Sequence, residues 1–397
     1  MKKLISIIMA AIIVVCCISC GKGVASGGKG YNFETDFQIN TMQADSTAVY
    51  TLSPAGVYTV QGTVLRYFEH GSEKAVPLCT RPECMHSDWG TNVHECDAYI
   101  GMIVAGIEYY NGALYIAAFH FDIENVDSGM RLFEYTLQGK YVRSVAALPN
   151  NTNEIIQHRG VFYYTSYDET EDNEILYKLS YVTADGKDSG VICQGENQYC
   201  SINDPAAYGK YLYFSYNEYN ENENIYYVVA YNLETKEMTK IDKVQKVYFC
   251  DDKLVYVRLD NDAIYTSDLD GTNEKEYIKL EYVNALLYAY DDVVIASNLD
   301  TYDASGGFVC EFALYKDGKF VRTFNVDDFT GGEWDENRVT YNMFHTDDYV
   351  YMTVLPENKV EYVLVRFDRE EFESGVFEPV VMDVEATFND SDVVYGD

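Results

Sequence analysis

Basic residues are scarce in this sequence. Its 397 residues include 29 Lys and Arg but 64 Asp and Glu, which gives a formal net charge of -35 at pH 7. Such a surface repels phosphate backbones and anionic headgroups, and no basic stripe interrupts the acidic character. We therefore expect no nucleic acid among its partners. The excess of carboxylates is typical of a solvated, soluble surface.

Helical periodicity and the short motifs of common enzymes are also missing. No segment keeps apolar residues at positions i, i+3, i+4 and i+7 for long, which argues against a helical fold. The patterns G-x-S-x-G, G-x-G-x-x-G, H-E-x-x-H and the P-loop do not occur. His120, His158 and His345 are isolated in the sequence. Hydrolase, nucleotide-binding and metalloprotease chemistry therefore lack their usual residues.

A long apolar run occurs at the N-terminus, where residues 1–19 read MKKLISIIMAAIIVVCCIS. Two lysines precede an apolar stretch from Leu4 to Ile18, which is short for a bilayer span of about 20 residues. Residues 1–19 are therefore predicted to be an export signal.

The residues that follow this run resemble the lipobox of bacterial lipoproteins. Ser19, Cys20 and Gly21 fit the pattern, although Cys17 stands where that family usually has Leu. The resemblance implies that a lipid on Cys20 attaches the protein to the membrane, with residues 20–45 including a flexible Gly, Ser and Lys linker. Cleavage before Cys17 and an ordinary signal peptide are the alternatives. We expect an extracytoplasmic, lipid-anchored protein.

One unit returns seven times within residues 46–397. It begins with a turn and a short aromatic or β-branched strand, as in AGVYTV, NGALYIA and RGVFYYT. A second strand that ends in a polar turn follows, as in RLFEYTLQGK and AIYTSDLDGTNE. One apolar position is equivalent in all seven copies, namely Val57, Leu114, Phe162, Leu212, Leu254, Val293 and Val350. The spacings between successive copies are 57, 48, 50, 42, 39 and 57 residues. Blades of β-propellers have about this length, roughly 40 to 50 residues.

The repeat predicts an all-β fold, a β-propeller with seven blades, with six or eight as alternatives. Segments such as LYIAAF and IYYVVAY are apolar on both faces, so a single sheet would be unstable, and a ring of sheets buries both faces. The 38 tyrosines suit this packing, because a buried ring can still place its hydroxyl against a loop or water. An open solenoid is the main structural alternative.

Three cysteines and two histidines cluster in LCTRPECMHSDWGTNVHECDAY, residues 78–99. Cys79, Cys84, His86 and Cys96 form the Cys3His set that tetrahedral zinc favours, and His94 is an alternative to His86. A structural zinc ion here would fasten a long loop between the first two blades. Outside the cytosol the competing interpretation is one disulfide with a spare thiol, and a catalytic thiol is a third possibility.

The cysteine count bears on these alternatives. If Cys16 and Cys17 leave with the signal and Cys20 carries lipid, seven cysteines remain, which cannot all pair within one chain. Two disulfides elsewhere would leave an odd three in the cluster, which a metal accommodates.

The repeat and the cysteine cluster together resemble a known group. The aromatic strand pairs with DG turns resemble propellers related to the YWTD repeats of lipoprotein receptors, including the bacterial DUF5050 group, although no repeat here reads YWTD. The C-x4-C-x-H stretch followed by C-D-A-Y resembles a motif of propeller lipoproteins from Firmicutes. The resemblance implies the fold and an exported location, and it implies no activity.

Two classes of function fit these features. The first is a binding or scaffold module that presents a rigid face to an extracellular protein or glycan, and we expect it to act as a monomer. The second is an enzyme with a site in the central channel, acting on an extracellular carbohydrate or small molecule. A tyrosine-lined exposed face would favour binding, whereas channel-facing Asp, Glu and His residues would favour an enzyme.

Overall fold

The computed structural model describes residues 48–61, 64–81, 84, 96–100, 104–120, 128–170, 174–219, 224–260, 263–280, 285–298, 311–324, 343–354 and 363–382. The predicted signal segment, the lipidation site Cys20, the linker and His86 lie outside the described residues. Within the described part of the chain, no helix has the length and apolar character needed to cross a membrane.

The described residues form seven four-stranded antiparallel sheets, each built from four consecutive strands. Blades 1 to 4 contain β1 (Ala48–Ser53), β2 (Gly56–Gln61), β3 (Val64–Glu69), β4 (Val76–Pro77); β5 (Val104–Tyr110), β6 (Ala113–His120), β7 (Gly129–Thr136), β8 (Tyr141–Ala147); β9 (Asn153–His158), β10 (Val161–Glu169), β11 (Ile175–Thr183), β12 (Ser189–Gln194); and β13 (Cys200–Tyr208), β14 (Tyr211–Tyr219), β15 (Asn224–Asn232), β16 (Met238–Asp242).

Blades 5 to 7 continue the same order of strands. They contain β17 (Tyr248–Cys250), β18 (Lys253–Val257), β19 (Ala263–Ser267), β20 (Lys275–Lys279); β21 (Ala285–Tyr290), β22 (Val293–Asn298), β23 (Glu311–Lys316), β24 (Lys319–Phe324); and β25 (Met343–His345), β26 (Tyr349–Val354), β27 (Val363–Asp368), β28 (Val380–Met382). A five-residue helix, α1 (Arg369–Glu373), follows β27. The seven-bladed β-propeller predicted from the repeat is therefore confirmed.

The apolar positions equated in the sequence occupy equivalent places in the blades. Six of them are the second residue of the second strand, and all are buried. Val293 is instead the first residue of β22, and Val294 is its equivalent. A two-residue turn precedes β22 just as one precedes β18, so the alignment in this blade was wrong by one residue.

Tight turns join the first and second strands of a blade. Asn111 and Gly112 link β5 to β6 with φ of 47° and 77°, and Arg159 and Gly160 link β9 to β10 with φ of 51° and 78°. Two consecutive residues with positive φ are typical of the hairpin turn whose twist matches that of the strands. At Gly160 a Cβ atom would also lie 2.6 Å from the Tyr110 hydroxyl oxygen, so the glycine allows blades 2 and 3 to approach.

Tyrosines at one position of the repeat pack between the blades. The third residue of the second strand is a buried tyrosine in five blades, namely Tyr58, Tyr115, Tyr163, Tyr213 and Tyr351. The Tyr58 hydroxyl donates to the Leu137 carbonyl at 3.2 Å, and the Tyr213 hydroxyl donates to the Leu269 carbonyl at 2.7 Å. Each of these bonds reaches a turn of the next blade, which confirms that the tyrosine rings pack in the core while their hydroxyls bond to loops.

The ring closes through side chains rather than through a shared strand. Every described blade is complete in itself, so the first and last sheets do not exchange strands. The rings of Tyr50 in blade 1 and Phe344 in blade 7 lie 6.2 Å apart, and Arg366 donates to the Ser72 carbonyl at 3.3 Å. These contacts form the seam between blades 7 and 1.

Candidate functional site

The cysteine cluster lies in the connection between blades 1 and 2. The sulfur atoms of Cys79, Cys84 and Cys96 all lie within 4.8 Å of one another. Leu65, at the start of β3, holds both halves of the connection: it accepts from the Leu78 N–H at 3.0 Å and donates to the Ala98 carbonyl at 2.8 Å. The strand thus brings the segments around Cys79 and Cys96 together, at the place that the sequence predicts.

Backbone amides surround two of the sulfur atoms. Burial raises the pKa of Cys79, but hydrogen bonds from the backbone N–H groups of Arg81 and Asp97 and from the neighbouring thiols lower it by more. Burial raises the pKa of Cys96 to about 12, although the backbone N–H of Ala98 opposes this shift. In both cases an N–H two residues after the cysteine points at its sulfur, an arrangement that stabilises a thiolate.

The Asp97 side chain also connects the segment around Cys96 to the segment around Cys79. Its carboxylate accepts from the Thr80 hydroxyl at 2.6 Å and lies 3.4 Å from the Arg81 guanidinium. The cluster is therefore held by β3 and by these side chains, and its geometry does not depend on the thiols alone.

The three thiols can hold a metal ion. Thiolates around tetrahedral zinc are about 3.8 Å apart, given zinc–sulfur distances of about 2.3 Å, so small movements would suffice. The sequence-predicted fourth ligand, His86, lies outside the described residues. Cys79, together with Cys193, Cys200 and Cys250 in blades 3 to 5, is a free thiol in this structure.

A second polar group, which the sequence reading missed, lies where the first strands of blades 3 and 4 meet. Glu154 and Asp204 each occupy a β-bulge, with φ of 39° and 52°. Glu154 accepts from the Asp204 N–H at 3.0 Å, and Asp204 lies 3.1 Å from the Lys246 ammonium of blade 5. Bulges re-aim side chains, and here they direct two carboxylates towards one lysine. No short sequence pattern marks these bulges, so only the fold reveals the group.

The environment sets different protonation states within this group. Burial, together with the nearby Asp204 carboxylate, raises the pKa of Glu154 to about 7. Burial lowers the pKa of Lys246, but the Tyr248 hydroxyl group and the Asp204 carboxylate raise it by more, so the lysine stays charged. One carboxyl group is thus half protonated at neutral pH, next to a charged lysine.

The raised pKa of Glu154 predicts a pH-dependent stability. The folded-state pKa lies above the unfolded value of 4.5, so folding favours the protonated Glu154 carboxyl group. Its contribution to stability is therefore fully present below about pH 4.5 and is lost as the pH rises to about 7. Wild type should lose up to about 3 kcal/mol of unfolding free energy over this pH range, since each pKa unit corresponds to about 1.4 kcal/mol. Glu154→Gln cannot ionise and should not show this loss. We expect a higher urea midpoint than wild type at pH 8 and little difference at pH 4.

The matched control is Glu169→Gln in the same blade, where the carboxylate is exposed. It should leave the pH dependence of the urea midpoint unchanged. If Glu154→Gln and wild type lost stability in parallel between pH 4.5 and 7, the raised pKa of Glu154 would be wrong.

Two of the isolated histidines, His158 and His345, bridge neighbouring blades. The His158 ring nitrogen Nε2 lies 2.8 Å from the Gly209 carbonyl of blade 4, and His345 Nδ1 lies 2.9 Å from the Tyr288 hydroxyl. Burial lowers the pKa of His345 to about 4, so it is neutral at pH 7. These contacts fit a structural role at blade interfaces.

Exposed aromatic and aliphatic side chains gather at one end of blades 3 and 4. The second strands of these blades, β10 and β14, are nine residues long; the last residues of β10 project beyond β9, whereas β14 pairs with β13 almost to its end. We call the resulting surface the tyrosine rim, and its members are Tyr167, Ile175, Tyr199, Tyr219 and Ile225. Their exposed fractions run from 36% to 59%, against 5% for Tyr163 on the same face of β10.

Comparison with known proteins supports the fold. No family model matches the chain, and no curated protein sequence does. A puromycin-hydrolysing peptidase of Mycobacterium tuberculosis is similar in structure, with a TM-score of 0.52 and 11% identity over 92% of this chain and 58% of that one. A prolyl endopeptidase gives a TM-score of 0.53 and 11% identity over 90% and 52%. The propeller domain of the Trilobed protease from Pyrococcus furiosus gives 0.46 and 12%, over 67% and 82%.

These similarities bear on the fold alone, because identities near 11% carry no information about activity. The chain spans little more than half the length of the first two peptidases. The propeller that the resemblance to YWTD-type lipoproteins implies is confirmed, while membership of that lipoprotein group stays a prediction.

Proposed function

We propose that the protein is a membrane-anchored, extracytoplasmic β-propeller that acts as a binding module for an extracellular protein or glycan. The tyrosine rim carries this proposal, because it places five exposed large side chains at one end of two neighbouring blades, and exposed apolar surface commonly marks a binding site. Tyrosine suits such a surface, since it offers a rigid ring and a hydroxyl at a low cost in conformational entropy.

The propeller scaffold suits the same proposal. Its 28 described strands hold the loops between them on a rigid frame, and loops on a rigid frame commonly carry binding residues. Anchoring would come from the lipid on Cys20, which would hold the propeller outside the cytoplasm.

The cysteine cluster has a structural part in this proposal. Cys79, Cys84 and Cys96 would bind zinc, with His86 as the fourth ligand. Four protein ligands leave no open position on the metal, as is usual for structural zinc sites. The ion would stabilise the connection between blades 1 and 2 and would take no part in a reaction.

An enzyme with a site in the central channel is the second candidate. Glu154, Asp204 and Lys246 favour it, since they lie on or next to the first strands of three blades, and first strands face the axis of a propeller. A carboxyl group with a raised pKa close to a second carboxyl group, as Glu154 is to Asp204, is a common arrangement for acid–base chemistry on a glycoside.

The binding function can be tested on the full chain in detergent micelles. We expect at least one member of a panel of extracellular glycans and proteins to bind, and Tyr167→Ala combined with Tyr219→Ala to weaken that binding at least tenfold. Phe320→Ala is the control, because Phe320 is 58% exposed but lies on β24 in blade 6. A panel on which the double variant and wild type behave alike would contradict the proposal.

A further inference from the structure

We infer that the tyrosine rim recognises a cationic polypeptide segment, rich in Arg or Lys, on a partner protein. This inference rests on the proposed binding function and names the class of its partner. It follows from the way the rim is built, from the charges around it, and from contacts that the same protein makes elsewhere.

The rim is a fixed surface on two neighbouring blades. The Tyr219 N–H donates to the Tyr199 carbonyl at 2.9 Å, and the Asn151 side-chain amide donates to the Tyr167 carbonyl at 2.6 Å. Tyr167 packs against Tyr177 with ring centroids 5.9 Å apart, and Tyr219 packs against Tyr226 at 6.2 Å. Since the strand ends are held in place, a partner would bind with little ordering of this side of the interface.

Carboxylates outnumber cations around the rim. The described residues beside it carry five carboxylates, on Asp168, Glu169, Glu174, Glu196 and Glu218. Three lysines are nearby and all are engaged: Lys178 pairs with Asp168, the Lys240 ammonium lies over the Tyr227 ring at 3.9 Å, and Lys243, whose N–H donates to the Tyr226 carbonyl, pairs with Asp260. A partner with positive charge is therefore complementary to this surface.

Tyrosine faces in this protein already bind cations. Besides Lys240 over Tyr227, the Arg366 guanidinium lies 4.4 Å from the centre of the Tyr349 ring. Arg and Lys side chains can place their charge over an aromatic ring while their aliphatic stems cover apolar residues such as Ile175 and Ile225. A neutral glycan would use the rings but would leave the carboxylates without partners of opposite charge.

The test measures binding of two fluorescein-labelled peptides, a nonamer of arginine and a nonamer of glutamine, together with cellohexaose as a neutral glycan. We expect the full chain in micelles to bind the arginine peptide, and the glutamine peptide at least a hundredfold more weakly. Tyr167→Ala with Tyr219→Ala should weaken arginine-peptide binding about tenfold, and Glu169→Gln with Glu196→Gln should weaken it about fivefold. Glu276→Gln with Glu378→Gln removes two exposed carboxylates from other blades and should change it less than twofold.

Three outcomes would overturn the inference. If both carboxylate pairs had equal effects and the tyrosine variant had none, the peptide would be held only by the general negative charge of the protein. If wild type failed to bind the arginine peptide, a cationic partner would be excluded. If cellohexaose bound through the rim tyrosines and the peptide did not, the partner class would be wrong while the proposed binding function would stand.

Discussion

Changing Cys84 to serine is expected to remove bound zinc from the protein and to lower its thermal stability. Wild type purified without chelator should contain about one zinc ion per chain, and the variant less than a tenth of that. At free zinc a thousand times the dissociation constant, losing the ion would cost about 4 kcal/mol. For a chain of this size that corresponds to a Tm lower by about 5 °C. Metal content by mass spectrometry and calorimetric melting measure the two effects.

Cys193→Ser is the matched control for this experiment. Cys193 is partly buried like Cys84, but it is a free thiol on β12, away from the cluster. The control should retain zinc and melt within about 2 °C of wild type, because it leaves all the proposed zinc ligands in place. Wild type without metal, together with a disulfide between two of the cluster cysteines in peptide mapping, would contradict the zinc site and establish the disulfide alternative.

Changing Arg369 to methionine should lower the stability of blades 6 and 7. The Arg369 side chain is 16% exposed, bonds to Glu373 at 2.6 Å and to Asp291 at 2.5 Å, and lies over the Tyr290 ring. Glu373 is 8% exposed, so removal of the guanidinium leaves a buried carboxylate with the Lys316 ammonium as its remaining ion-pair partner. Breaking a buried ion pair on one side costs about 3 kcal/mol or more. The midpoint of urea unfolding, followed by tyrosine fluorescence, measures this loss.

Lys187→Met provides a control with the same change of charge. The Lys187 side chain is 82% exposed and pairs with Asp185 on the surface, so its loss should move the urea midpoint far less than the loss of Arg369. If the two variants unfolded at the same urea concentration, the Arg369 contacts would add no more to stability than a surface ion pair.

The second and third strands of each blade could be predicted from the sequence, whereas the first and fourth strands could not. The second and third strands are flanked on both sides and buried on both faces, so they form continuous apolar segments such as IYYVVAY. The fourth strands are largely exposed, as in β8 and β12, and β4 has two residues, so their apolar signal is weak. The sequence therefore predicted the number of blades without predicting all of their strands.

The candidate sites likewise include one that the sequence predicts and others that only the structure reveals. Cysteine is rare, so its close spacing in residues 79–96 was visible without a structure. Glu154 and Asp204 lie at bulges that interrupt the two-residue alternation of a strand, and no local sequence pattern predicts these bulges. Tyr163 and Tyr167 look alike in the sequence, and only the length of β10 relative to β9 decides that the first is buried and the second exposed.

The seam between blades 7 and 1 also determines how the ring responds to force. Since the described blades share no strand, Tyr50, Phe344, Arg366 and Ser72 can separate without breaking a backbone hydrogen bond within any sheet. A force that pulls the first and last blades apart would open the ring at this seam first. Opening there would expose the buried rings of Tyr50 and Phe344 to water while the seven described sheets stayed intact.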